Sequence, residues 1–291
     1  MWRVSSDRPA RRKGPPAPEP LAPLIDAHTH LDACGARDAE DVVAIVERAE
    51  AVGVRAVVTI ADDLDSARWV TRAAEWDPRV YAAVALHPTR ADALTDAARA
   101  EIERLAAHPR VVAVGETGMD LYWPGRLDGC AQPDVQREAF AWHIDLAKRI
   151  GKPLMIHNRE ADAEVLDVLR AEGAPDTVIF HCFSSDSAMA RRCVHAGWWL
   201  SLSGTASFRN ARALREAVAL IPAEQLLVET DAPFLTPHPY RGLANEPYCL
   251  PYTLRAVAEL LERSPEGLAR ITTSNARRVY GLGPDQPLTS P

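Results

Sequence analysis

Five of the nine histidines in this sequence, His28, His30, His87, His157 and His181, follow short apolar runs. The other four lie elsewhere: His108, His143 and His195 in or at the end of helical stretches, and His238 between two prolines. Two carboxylates share the first placement, Glu116 after Val111 to Gly115 and Asp231 at the end of Leu226-Leu227-Val228-Glu229-Thr230. Imidazole and carboxylate are the nitrogen and oxygen donors that suit divalent ions such as Zn and Mn. In Asp26-Ala27-His28-Thr29-His30 the two histidines are two residues apart, so on an extended backbone both face one side and reach one ion. Singly, each residue has an ordinary reading. His28 and His30 are then solvated loop residues, Glu116 a cap or surface carboxylate, His157 and His181 hydrogen-bonded core residues, and Asp231 a helix cap ahead of Ala232-Pro233. Six such coincidences at strand ends point instead to one metal centre. Only three lysines exist, Lys13, Lys148 and Lys152, and none follows a strand. A modified lysine is therefore not available to bridge two ions, and Glu116, with two oxygens, is the candidate bridge.

The elements that would carry these residues are legible as short apolar runs. Candidate strands are Leu24 to Ala27, Ala56 to Ile60, Tyr81 to Leu86, Val111 to Gly115, Pro153 to Ile156, Thr177 to Phe180, Trp199 to Leu202 and Leu226 to Val228. Amphipathic stretches alternate with them. One places Val42, Val43, Val46, Ala49 and Ala51 before Gly53, and another, Asp134 to Ile150, places Val135, Phe140, Ile144, Leu146 and Ala147 before Gly151. Eight such units predict a single-domain α/β protein, a (β/α)8 TIM barrel, whose ligands come from the C-terminal ends of the strands. The barrel is expected over residues 21–282, between a flexible basic Pro-rich tail at 1–20 and a C-terminal tail at 283–291. A Pro-rich loop from Pro233 to Pro251 is expected after the eighth strand, followed by helical segments.

Composition narrows the setting. The chain has 291 residues and a net charge of -7, so any attraction for phosphate must be local, from metals or clustered Arg. Five widely spaced cysteines without a C-x-x-C pair suit reduced thiols, which predicts a cytoplasmic protein. The first 20 residues hold four Arg, one Lys and five Pro but no apolar stretch, so they do not read as a secretory signal. No later run is apolar enough to span a bilayer, and no obligate protein partner is implied.

The motifs together resemble the TatD family of metal-dependent deoxyribonucleases, within the amidohydrolase-like barrels, over about residues 24 to 280. They are Asp26-Ala27-His28-Thr29-His30-Leu31, Leu86-His87-Pro88, Gly115-Glu116-Thr117-Gly118-Met119-Asp120, Ile156-His157-Asn158-Arg159, His181-Cys182-Phe183-Ser184, Glu229-Thr230-Asp231-Ala232-Pro233 and Arg241-Gly242-Leu243-Ala244-Asn245-Glu246-Pro247. Asn158 stands where the family usually has Ser, and Met119 where Leu is commoner. The resemblance implies hydrolysis of DNA phosphodiesters with two divalent metal ions, Mg, Mn, Zn or similar, usually from the 3′ end of single strands. It implies His28 and His30 at a first ion completed by Asp231, His157 and His181 at a second, and Glu116 between them. On that mechanism Asp231 also takes the proton of the attacking water, and His87 donates to a non-bridging phosphate oxygen. His87 as a turn residue with Pro88 is the ordinary alternative. Arg159, Arg209 and Arg241 are candidates for pairing with substrate phosphates. Tyr122, Trp123 and Phe183 are candidates for stacking on unpaired bases, with loop packing as the alternative. The stretch Arg8 to Lys13 could add weak phosphate affinity, though it reads first as a solvated tail. Competing functions are a metal-dependent deacylase of aminoacyl-tRNA or another amidohydrolase-type ester or amide hydrolase, and a non-catalytic DNA-binding scaffold.

Overall fold

A computed structural model describes residues 13–282. Eight strands form one parallel sheet in chain order: β1 Leu24–Thr29, β2 Val54–Ile60, β3 Val80–Val84, β4 Val111–Asp120, β5 Leu154–Arg159, β6 Val178–Phe180, β7 Trp199–Leu202 and β8 Leu226–Val228. Between and after them run α1 Ala39–Glu50, α2 Leu64–Trp76, α3 Asp96–Ala106, α4 Pro133–Ile150, α5 Asp162–Glu172, α6 Ser187–His195, α7 Arg212–Val218, α8 Leu250–Leu260 and α9 Pro265–Tyr280. The sheet is a nearly closed (β/α)8 barrel. Its seam is tied by Asp231 N–H donating to His28 O at 2.9 Å, His30 N–H to Ala232 O at 2.8 Å, and Thr230 N–H and Oγ1 to the Asp26 carboxylate at 2.9 and 2.6 Å.

The helices start and stop for local reasons. Asp38 caps α1 by accepting Asp41 N–H, and α4 begins at Pro133, whose fixed φ suits a first turn. Gly151 ends α4 in the left-handed conformation at φ 65, with Lys148 and Arg149 in the last turn facing its negative pole. The buried stripe of α1 is Val42, Ile45, Val46 and Ala49, so Ile45 belongs to it, while Val43 is half-buried and Ala51 exposed. In α4 Phe140, Ile144, Leu146 and Ala147 are buried as expected, whereas Val135 is half-buried. Pro251 lies inside the first turn of α8 and does not end the preceding loop.

Alternation along the strands separates two apolar layers. Ile25, Ala27, Ala56, Val58 and Ile60 point into the lumen with Tyr81, Met155, Ile179 and Leu227, while Leu24, Val54 and Val57 face the helices. The C-terminal part of α9 joins the lumen cluster through Ala276, Val279 and Tyr280, and Tyr280 Oη donates to Ala27 O at 2.9 Å. Among the described residues no helix is long and apolar enough to cross a membrane.

Two differences from the sequence reading shape the site. β1 runs on to Thr29 and β4 to Asp120, and each carries one extra residue against its neighbour. Asp26 pairs with Val57 and Thr29 with Thr59, while Val114 pairs with Leu154 and Thr117 with Ile156. The bulged segments contain His28 and Glu116, and a bulge re-aims a side chain out of strict alternation. The second difference concerns residues 13–20, expected to belong to a flexible tail. They lie along α8 and the segment before it: Ala244 N–H donates to Lys13 O, Tyr248 Oη to Pro15 O, Tyr252 Oη to Pro16 O and Arg255 to Glu19 O, with Pro15 and Pro18 buried. Most of the basic stretch Arg8 to Lys13, and the C-terminal tail at 283–291, lie outside the described residues.

Candidate metal centre

Glu116 sits at the middle of the C-terminal mouth, 3% exposed, with its two oxygens facing different histidine pairs. Oε1 lies 3.7 Å from His28 Nε2 and 3.6 Å from His30 Nε2. Asp231 Oδ1 approaches the same two nitrogens at 3.5 and 3.6 Å, and the nitrogens are 3.1 Å apart. Oε2 lies 2.7 Å from His181 Nε2 and 3.2 Å from His157 Nδ1, which are themselves 3.2 Å apart. The rings of His28 and His181 stack at 4.0 Å, joining the two halves. Thus the six residues expected at strand ends converge on one cavity. Asp231 holds φ 51, a left-handed conformation costly for a residue with a side chain, stabilised by its N–H to His28 O.

The donor chemistry fits cations. Imidazole nitrogens facing one another cannot both present lone pairs without a proton or a cation between them. Burial alone would raise the Glu116 carboxyl, but the His181 and His28 imidazoles and hydrogen bonds from His157 and His181 hold it well below the usual range, so it is ionised. Burial and the neighbouring His181 push His28 well below its ordinary value, leaving a neutral nitrogen donor. For His181 burial is opposed and outweighed by Glu116 and Glu229, which raise it well above the ordinary value. For His30 burial is likewise outweighed by Asp62, Asp231 and Glu116, which lift it to about 10. The carboxylates thus draw positive charge onto His30 and His181, charge that a divalent ion would supply in place of protons. Two three-donor groupings sit around Glu116, His28 with His30 and His157 with His181, and a third, His28, His181 and Asp231, overlaps both.

A ring of carboxylates behind the histidines was not picked out from the sequence. His30 Nδ1 faces Asp62 Oδ1 at 3.6 Å, His181 Nδ1 faces Glu229 Oε1 at 3.4 Å, and His157 Nε2 faces Asp120 Oδ2 at 3.2 Å. Asp120 hydrogen-bonds the far nitrogen of His157 and so selects the tautomer that directs Nδ1 inward, whereas Asp62 and Glu229 act on His30 and His181 through their charge, without a hydrogen bond to Nδ1. Each had a trace in the sequence: Asp62 follows the second apolar run, Glu229 is the first polar residue after the eighth, and Asp120 closes the Gly115 to Asp120 motif. His28 Nδ1 instead meets Met155 Sδ at 3.1 Å.

His87 lies at the same mouth, its ring 4.4 Å from that of His157, and it groups with Asp120 and His157 as a further set of possible donors. The backbone argues against a third ion there. Thr89 N–H can only donate, and it points at His87 Nδ1 at 3.2 Å, so the neutral ring carries its proton on Nε2. Burial and the nearby His157 push His87 down to about 3, so it is a neutral N–H donor.

Of the cationic candidates, Arg159 stacks over Tyr122 and Trp123, Arg241 over Phe208, and Arg209 is exposed. All three leave the C-terminal side of the barrel. Tyr122 and Trp123 are half-buried at this rim, but Phe183, a stacking candidate with packing as its alternative, is 3% exposed and packs in the apolar core beneath it. Its place after a strand end resembled that of the loop aromatics, while its partners lie far away in sequence. Phe234 is 52% exposed and meets His30 edge-on at 5.9 Å.

Residues 25–281 match the profile of the family described as TatD related DNase. A protein of Mycobacterium tuberculosis, named as an uncharacterized metal-dependent hydrolase TatD, is 83% identical over 260 residues, 89% of this chain and 98% of that protein. The 3′-5′ ssDNA/RNA exonuclease TatD of Musicola paradisiaca is 34% identical over 248 residues, 82% of this chain and 92% of that protein. The crystal structure of YJJV, a TatD homologue from Escherichia coli K12, superposes with a TM-score of 0.82 at 27% identity, covering 89% of this chain and 98% of that one.

Proposed function

On the premise that this chain belongs to the TatD related DNase family, a family of metal-dependent hydrolases, we propose that it cleaves phosphodiester bonds in single-stranded DNA from the 3′ end, using two divalent cations. The observation that carries this reading is the split geometry of Glu116, with one oxygen toward His28 and His30 and the other toward His157 and His181. His28, His30, Asp231 and Glu116 would hold the first cation, and His157, His181 and Glu116 the second. When bound, such a pair lowers the pKa of water and neutralises charge on the phosphate and on the leaving oxygen. The remaining work falls to the chain. Asp231 accepts the proton of the attacking water as its oxygen bonds to phosphorus. The P–O bond to the sugar breaks and the leaving oxygen is protonated from solvent, giving a nucleotide and a shortened strand. The Nε2–H of His87 donates to a non-bridging phosphate oxygen and orients it for in-line attack. Asp120 keeps the His157 ring from turning, and Asp62 and Glu229 place negative charge behind His30 and His181. Arg159, Arg209 and Arg241 supply local positive charge that the chain as a whole, at -7, lacks. A cytoplasmic setting agrees with the free state of all five cysteines.

The test is release of mononucleotides from a single strand labelled at its 5′ end, with Mg, Mn, Zn, Ni and Co each added to chelated protein. Progressive shortening from the 3′ end supports the reading. Loss of the ester from a charged tRNA with no nucleotide released would replace it with the deacylase function. The same assay on RNA decides whether the sugar is discriminated, a point raised by the name of the Musicola relative.

A further inference from the structure

The turn after β4 carries Tyr122, Trp123 and Arg126, and β5 ends on Arg159. The Arg159 guanidinium carbon lies 3.9 Å from the centre of the Tyr122 ring and 5.2 Å from that of Trp123, and Arg126 lies 4.4 Å from Tyr122. The two rings meet edge to face at 4.9 Å. In this acidic chain many arginines are paired with carboxylates, among them Arg48, Arg55, Arg68, Arg79 and Arg149. Arg159 has no carboxylate partner among the described residues and is exposed, its charge held over ring faces instead. A guanidinium plane beside partly exposed aromatic rings is half of the sandwich that a nucleobase completes, and its N–H edge stays free for phosphate.

One carboxylate ties this cluster to the metal centre. Asp120 Oδ1 accepts the N–H groups of Tyr122 and Trp123 at 2.9 and 3.0 Å, while Oδ2 lies 3.2 Å from His157 Nε2. Residue 120 is itself clamped by the Gln136 amide of α4, which accepts Asp120 N–H at 2.8 Å and donates to Asp120 O at 3.0 Å. The turn and the histidine are therefore held by one and the same carboxylate.

We propose that Tyr122, Trp123 and Arg159 form a docking platform for an unpaired nucleobase next to the scissile phosphate, and that Asp120 is the positioning residue that fixes this platform relative to His157. The proposal rests on the nucleic-acid reading above and names the part of the substrate that this rim recognises. Phosphate contacts alone would bind any polyanion; a stacking platform requires bases.

The experiment measures binding of a fluorescein-labelled oligothymidylate to full-length protein in chelator, by anisotropy, and then kcat and KM with metal. Trp123→Ala weakens binding and raises KM about tenfold, with kcat unchanged. A strand with abasic sites weakens binding to the parent by a similar factor and costs Trp123→Ala nothing further. Asp120→Asn retains an oxygen for both turn N–H groups, so it keeps the abasic penalty, but it loses about ten- to a hundredfold in affinity for the second cation, read by metal titration. Equal affinity of parent and Trp123→Ala, or an abasic penalty that persists in that variant, overturns the platform. Unchanged cation affinity in Asp120→Asn overturns the positioning role. A parent that neither binds nor cleaves any strand sinks the nuclease reading itself.

Discussion

At the scale of single residues, function turns on which atoms face each other. Replacing Glu116 by Gln keeps shape but gives one end an amide nitrogen that donates where a cation needs an acceptor. On the proposed assignment, activity falls at least about a thousandfold, some 4 kcal/mol of transition-state stabilisation, while circular dichroism stays that of the parent. Retention of a tenth or more of the activity would exclude a bridging role. His143 supplies a different test. It is buried in α4, its Nδ1 lies 2.7 Å from Ala139 O and its Nε2 receives Leu86 N–H at 3.3 Å, so the neutral ring is fully used. Burial pushes it down to about 4 from an ordinary 6.5. Its depressed folded value means that the unfolded chain binds the extra proton first. Its contribution is therefore complete above about pH 6.5, is lost as pH falls toward about 4, and amounts to about 3 kcal/mol. Urea unfolding in chelator should show a steeper loss over that window for the parent than for His143→Gln; parallel curves would contradict it.

At the scale of elements, strand ends deliver ligands only if neighbouring strands approach closely enough. Gly118 in β4 has φ +134, and a Cβ there would lie 2.2 Å from His157 O. Gly118→Ala must therefore push β5 away. It is expected to cost more than about 1 kcal/mol in denaturant unfolding and to weaken binding of the cation assigned to His157 and His181. An alanine variant with the parent's stability and metal content would show that this contact does not set the position of β5. The strands were readable because β-branched and apolar runs such as Val111 to Val114 recur between amphipathic helices, and the six converging residues because each comes within three positions of the end of such a run. The bulges at His28 and Glu116 were not readable, since an extra residue in a parallel ladder shows only against its neighbour. Asp62, Asp120 and Glu229 were missed for a related reason: their role depends on which imidazole they meet across the barrel. Phe183 could not be decided between stacking and packing, because position after a strand does not tell inward from outward, and it packs. Nor could composition reveal that residues 13–20 find tyrosine and arginine donors on and just before α8, more than two hundred positions later.

At the scale of the whole molecule, five of the eight strands bring four imidazoles and two carboxylates from distant parts of the chain into one buried set, a concentration of polar groups that carries a cost without cations. Ions that bind only the folded barrel repay it by mass action. A divalent ion at one hundred times its Kd adds about 2.7 kcal/mol of stability, which in a chain of this size raises the melting temperature by roughly 4 to 5 °C. Chelation should reverse the shift, and a melting temperature indifferent to both treatments would speak against a resident metal. The most direct measurement is a diffraction experiment on metal-soaked crystals at the absorption edge of the added ion. Two anomalous peaks about 3.5 to 4 Å apart are predicted, one against His28, His30 and Asp231, the other against His157 and His181, with Glu116 between them. A single peak, or two peaks that do not share Glu116, would contradict the two-cation centre.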